Sequence, residues 1–239
     1  MSPKPLAQTN FRELGSNPYP GRGLVIGLSE LPSAGLELYW IMGRSENSRN
    51  RRFVADGTTL RTAPVDEAKL ADPSLVIYEA MLELLRIFLV SNGDQTRTVY
   101  EALRWDGTFD GALATRKHEP DAPHYTPRIT GMLDLRGETP TAALSLLRPS
   151  TFGPAQTDRY TYRPSLVPGF GYGLTTYAGD GNPLPSFSGD PLLLPLAGTA
   201  EEILSTYWDA LNAENRVALA LKHIPLDGGP STILIRNQY

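Results

Sequence analysis

Two largely apolar runs stand near the start of the chain, residues 22–28 (RGLVIGL) and 36–42 (LELYWIM). Both are β-prone and are joined by a loop containing Pro and Gly, so they predict paired strands in a hairpin. A polar, basic stretch at 43–52 reads as loop, with short extended pieces around Phe53 and Thr59. Residues 75–90 fit two readings. EAMLELLR at 79–86 has high helix propensity, whereas LVIY before it and RIFLV at 86–90 look like strands, and a turn near Glu83 would give a hairpin ending at Ser91-Asn92-Gly93.

Further along, Val99, Ala102 and Leu103 have the spacing of an amphipathic helix over 94–105, and 109–115 reads as a second short helix. Residues 129–135, 141–147, 159–163 and 172–177 resemble successive antiparallel strands. Thr199-Ala-Glu-Glu202 fits a capping box opening a helix to about Ala213, and 217–224 and 233–236 read as closing strands around Asp227-Gly-Gly229. Strands, two helical regions, then strands predict an α+β layered fold. The polar, proline-bearing start predicts a flexible leader over 1–14, with turn chemistry at Asn17-Pro-Tyr-Pro-Gly21 and a single domain over 15–239.

Composition narrows the function classes. The 239 residues are 41% hydrophobic and 20% charged, enough apolar material for a buried core. The net charge of -4 argues against bulk nucleic-acid binding. Cysteine is absent, which excludes disulfides, thiolate metal sites and Cys nucleophiles. Neither a secretory signal pattern nor an apolar run approaching the ~18 residues of a membrane span is present, so a cytoplasmic protein without membrane partners is expected.

Gly21-Arg-Gly23-Leu-Val-Ile-Gly27 looks like a dinucleotide fingerprint, but it precedes a strand where that motif must follow one. His118, Glu119, Asp121 and His124 cluster, yet Pro120 and Pro123 break any helix that would align them as metal ligands; a solvated loop and no metal are expected. An N-terminal nucleophile at Ser2 would sit on the expected flexible leader. Arg44, Arg49, Arg51 and Arg52, mixed with Ser45, Asn47, Ser48 and Asn50, form either a solvated basic loop or an anion site in which guanidinium forks grip phosphate oxygens. Ser91-Asn-Gly-Asp-Gln-Thr96 lies at a strand-to-helix junction, where free backbone amides serve either as plain capping or as a hold on an oxyanion or base edge.

Taken in order, Asn17-Pro-Tyr-Pro-Gly-Arg-Gly, Gly43-Arg-Ser-Glu-Asn-Ser-Arg-Asn-Arg, Ser91-Asn-Gly-Asp-Gln-Thr, Glu119-Pro-Asp, Tyr125-Thr-Pro-Arg-Ile and Thr176-Tyr-Ala-Gly-Asp-Gly-Asn-Pro-Leu-Pro-Ser-Phe resemble the archaeal-type IMP cyclohydrolases and their bacterial relatives. The resemblance spans about residues 17–191. It implies a four-layer αββα sandwich like that of the N-terminal nucleophile hydrolases, without the processed nucleophile, and a strand pair at 75–90 with Tyr78 on its first strand. It also implies closure of the purine ring, in which a formylated aminoimidazole-carboxamide ribonucleotide loses water to become inosine monophosphate, with no metal or organic cofactor.

Carried over residue by residue, the resemblance assigns Arg44 and Arg49 to phosphate or the developing oxyanion, and Tyr78 to a hydrogen bond at the formyl group. It assigns Glu119 and Arg128 to proton transfer and anion binding. Ser45, Asn47, Asn92, Gly93, Asp94, Gln95 and Tyr177 complete the expected substrate contacts. The acid and the base stay open among Tyr78, Glu119 and Asp121. Arg97 departs from the pattern, standing where an acidic residue is expected. A small ribonucleotide is the expected partner, and the resemblance suggests a homo-oligomer. Two other readings stay open: a ribonucleotide-binding module that has lost the chemistry, and an amide hydrolase on a related scaffold. The cyclohydrolase reading requires Arg44, Tyr78 and Arg128 to converge on one cleft.

Overall fold

The computed structural model describes residues 3–30, 34–69 and 77–239. In chain order these form α1 (Lys4–Ser16), β1 (Gly23–Leu28), β2 (Ala34–Met42), α2 (Glu46–Arg49), β3 (Arg52–Asp56), β4 (Thr59–Ala63), a short 3-10 turn (Glu67–Lys69), β5 (Glu79–Leu84) and β6 (Ile87–Ser91). They continue through α3 (Gln95–Arg104), α4 (Phe109–Leu113), β7 (Arg128–Asp134), β8 (Thr141–Ser150), β9 (Gly153–Tyr162), β10 (Phe170–Thr175), β11 (Leu192–Pro195), α5 (Ala200–Ala210), β12 (Arg216–Pro225) and β13 (Thr232–Asn237).

The strands make two antiparallel sheets, β11-β10-β1-β2-β12-β13 and β3-β4-β5-β6-β7-β8-β9. Strand periodicity sorts their side chains. Leu24 and Ile26 of β1 and Tyr39 and Ile41 of β2 join one cluster with Phe53, Leu60, Met81, Val90, Ile129 and Leu144 of the other sheet. The intervening residues Val25, Leu36, Leu38 and Trp40 instead meet Leu14 of α1 and Ile203, Tyr207 and Trp208 of α5. Ile87, Leu89 and Ala143 of the second sheet pack on Val99 of α3 and Phe109 and Leu113 of α4. With both faces covered, β1 and β2 are buried along their whole length, which is why they read as largely apolar runs rather than alternating ones.

Where a flexible leader is expected over 1–14, Lys4–Ser16 forms a helix with Ala7 and Leu14 buried. Phe11 meets the Tyr207 ring edge-on at 5.1 Å. Residues 75–90 form the hairpin rather than the helix from residue 79 onward; Leu75 and Val76 lie outside the described residues. Its turn falls at Leu85 and Arg86, and Tyr78 immediately precedes β5 rather than lying within it. Among the described residues no helix is long and apolar enough to cross a membrane.

Candidate functional site

The turn that leads into β1 builds the floor of a cleft of about 380 Å³. Gly21 has φ +73, and a Cβ there would lie 2.3 Å from Thr176 Oγ1 and 2.4 Å from Tyr177 Cδ2, so only glycine lets the chain pass this close to Tyr177. Arg22 follows. It is 8% exposed and donates from Nη1 to Glu119 Oε1 (3.0 Å) and the Asn92 carbonyl (3.0 Å), and from Nη2 to Glu119 Oε2 (2.8 Å). Burial works against the Arg22 charge, but the Glu119 carboxylate holds its pKa well above the usual value.

One wall comes from the loop after β2 and the single turn of α2. Ser45 caps that turn, accepting from Ser48 N–H, and Ser45, Asn47 and Ser48 line the cleft. Arg44 lines it with its guanidinium 4.7 Å from the centre of the Tyr19 ring, paired with Asp180 and donating to the Gly181 carbonyl at 3.3 Å. Arg51 lines it too, and no hydrogen bond or ion pair reaches its guanidinium from the described residues; its Nε is buried and unpartnered. The helical turn sends Arg49 the other way, its Nε donating to the Gly43 carbonyl at 3.0 Å.

The opposite wall carries Asp121, His124, Thr126 and Tyr177. Asp121 accepts from the Thr126 N–H at 2.7 Å and from its hydroxyl, and Thr126 Oγ1 stands 2.5 Å from Tyr177 Oη. A carboxylate only accepts, so the Thr126 proton points to Asp121 and Thr126 accepts from Tyr177. Burial pushes the Tyr177 hydroxyl pKa up to about 12, against the opposing pull of Arg22. Tyr19 stacks on Tyr177 at 6.0 Å, and its pKa is likewise raised by burial.

Of the site residues expected from the resemblance, Arg44, Ser45, Asn47, Glu119 and Tyr177 line this cleft, as do Ser48, Arg51, Asp121 and His124, singled out from the residues alone; Arg49, Tyr78, Asn92, Gly93, Asp94, Gln95 and Arg128 do not line it. Asn92, Gly93, Asp94, Gln95 and Arg128 form a polar brace reached through the Arg22–Asn92 bond. Asn92 is fully buried, with its side chain spent on Ile129 N–H (2.9 Å), Gln95 Nε2 (2.9 Å) and the Pro127 carbonyl (2.8 Å). Arg128 donates to Asp94 (2.8 Å) and Gln95 (2.7 Å). A Cβ on Gly93 would lie 2.5 Å from Arg128 Nη1, so this glycine makes room for the arginine rather than for a ligand.

Tyr78 is buried in the cluster joining the sheets, its Oη 2.6 Å from Tyr39 Oη, and both hydroxyls contribute to the electrostatic setting of Arg22. Of Arg44, Tyr78 and Arg128, Arg44 lines the cleft; Tyr78 and Arg128 do not line it, but both interact electrostatically with Arg22, which does. Arg22, Tyr19 and Thr126 were missed as individual candidates. For Arg22 a signal existed, since a cation heading a strand of continuous apolar residues must find a buried partner.

The cleft of this two-sheet α/β protein thus carries three arginines and two acidic side chains. Residues 19–228 match the family described as IMP cyclohydrolase-like protein, and the chain belongs to that family. No curated protein matched the chain. The family points to a cyclohydrolase, purine-related role.

Proposed function

We propose that this cleft binds a formylated aminoimidazole-carboxamide ribonucleotide and closes it to inosine monophosphate. The observation that carries the reading is that one cleft is lined by Arg51, whose guanidinium has no hydrogen bond or ion pair from the described residues, by Asp121 and by the Arg22–Glu119 pair, in a chain of this family. The helices against the outer faces of the two sheets are consistent with a four-layer αββα arrangement.

In the reaction the carboxamide nitrogen attacks the formyl carbon, a C–N bond forms, and the formyl oxygen takes up negative charge. That oxygen takes up two protons and leaves as water as the ring C=N bond forms; the carboxamide nitrogen gives up one of its two protons and the former formamide nitrogen gives up its one. Arg51 and Arg44 hold the phosphate. Arg22, fixed by Glu119, offers preorganised positive charge to the oxyanion, with the Tyr78–Tyr39 hydroxyls behind it. Both Glu119 oxygens are held by the buried Arg22 guanidinium, so Glu119 acts as a positioning residue, whereas Asp121 accepts only from the neutral N–H and hydroxyl of Thr126 and takes the proton.

The test is incubation of the purified protein with the formylated ribotide. Inosine monophosphate should appear, and Asp121→Asn should lower kcat by roughly 10²-fold with little change in KM. Absence of product, where a known cyclohydrolase forms it, removes the proposal.

A further inference from the structure

We infer that Asp180 is an internal competitor of the ligand: its carboxylate holds Arg44 in the free protein, so only a ligand anion that outcompetes a carboxylate takes both Arg44 and Arg51. This rests on the cleft being a ribonucleotide site.

The Asp180 loop is tied down at its base and directed at its tip. Ala178 N–H donates to the Pro185 carbonyl at 2.9 Å, and Leu184 N–H donates to Nδ1 of the cleft-lining His124 at 3.2 Å. At the tip, Gly181 N–H donates to Asp180 Oδ1 at 2.8 Å, which orients the carboxylate, while Arg44 bonds both Asp180 and the Gly181 carbonyl. Arg22 is occupied by Glu119, so the free cleft presents Arg51 as its open guanidinium and Arg44 as one in reserve.

A phosphate monoester dianion brings two charges and three acceptor oxygens, and displaces a carboxylate from a guanidinium fork; a monoanionic diester, a carboxylate or a neutral nucleoside does so poorly. The phosphomonoester end of a nucleotide therefore recruits Arg44 from Asp180, while weaker anions are left with Arg51. The side chains of Arg44 and Asp180 are 34% and 49% exposed, so the competition is worth a modest factor rather than an absolute block.

The experiment measures the affinity of inorganic phosphate, inosine monophosphate and its 5′-phosphate methyl ester for the wild type, Asp180→Asn, Arg44→Ala and the double variant. Asp180→Asn should tighten phosphate and inosine monophosphate by roughly two- to five-fold and the methyl ester by less, because it engages Arg44 only weakly even when that guanidinium is free. That gain should vanish in the Arg44→Ala background. If the wild type binds inosine monophosphate but Asp180→Asn leaves affinity unchanged or weaker, or tightens it without Arg44, the inference is overturned and the nucleotide reading stands. If phosphate binds and tightens as stated while inosine monophosphate does not bind, the inference stands and the nucleotide reading falls. Binding of neither overturns both.

Discussion

Arg22 and Glu119, 97 positions apart in the chain, are joined by two N–H···O bonds of 3.0 and 2.8 Å in a setting where each is less than a tenth exposed. The pair ties the entry of β1 to the loop before β7, and its Arg22 end also holds the Asn92 carbonyl at the close of β6. One guanidinium thus fixes three segments around the cleft.

Breaking that pair should cost more than a surface contact. Glu119→Ala leaves the Arg22 charge buried without its partner and should lower unfolding free energy by about 3–5 kcal/mol. Glu119→Gln, which keeps one acceptor, should cost less. Urea unfolding of the two variants checks the order.

The two arginines of the loop should behave oppositely. Arg51→Ala removes the unclaimed guanidinium and should weaken phosphate binding by roughly tenfold or more. Arg49, bonded to the Gly43 carbonyl, should change affinity by less than about threefold when replaced by Lys. Calorimetric titration with inorganic phosphate measures both, and equal effects would assign the anion site wrongly.

Glu37 carries a pH signature. Its carboxyl is wholly buried with both oxygens unpartnered, opposite Lys222, whose Nζ is committed to Glu83 (2.6 Å) and the Thr58 carbonyl (2.8 Å). Burial raises its pKa to about 8, against the opposing pull of Lys222. The folded pKa lies above the unfolded one, so this contribution to stability is full below the ordinary carboxylate range and is lost as pH rises toward about 8. Glu37→Gln should raise Tm by roughly 4–8 °C at pH 8.5 and by much less at pH 5. A gain independent of pH would show that Glu37 ionises normally in the fold.

Much of the scaffold was legible because strands buried on both faces announce themselves as apolar runs, as β1 and β2 do. The hairpin at 79–91 was not settled by local pattern, because its turn uses Leu85 and Arg86 at φ 47 and 66, where glycine or asparagine would have signalled it. Arg86 is held there by donating to the Leu135 (3.2 Å) and Leu226 (2.9 Å) carbonyls, bonds that only the folded chain supplies. In α1 the spacing of Ala7, Phe11 and Leu14 did carry a helical signal, overshadowed by the polar and proline-bearing start. At the site, residue types were readable but directions were not: one turn of helix capped by Ser45 decides that Arg51 rather than Arg49 enters the cleft, and buried pairing turns Asn92 and Gln95 from base readers into a brace.

A crystal structure with inosine monophosphate bound tests the central claim most directly. The nucleotide should occupy the cleft above Arg22, with its phosphate within hydrogen-bonding distance of Arg51 and its ring between Asp121 and the Asn47 loop. A nucleotide seated elsewhere, or one whose phosphate leaves Arg51 unengaged, would contradict the account.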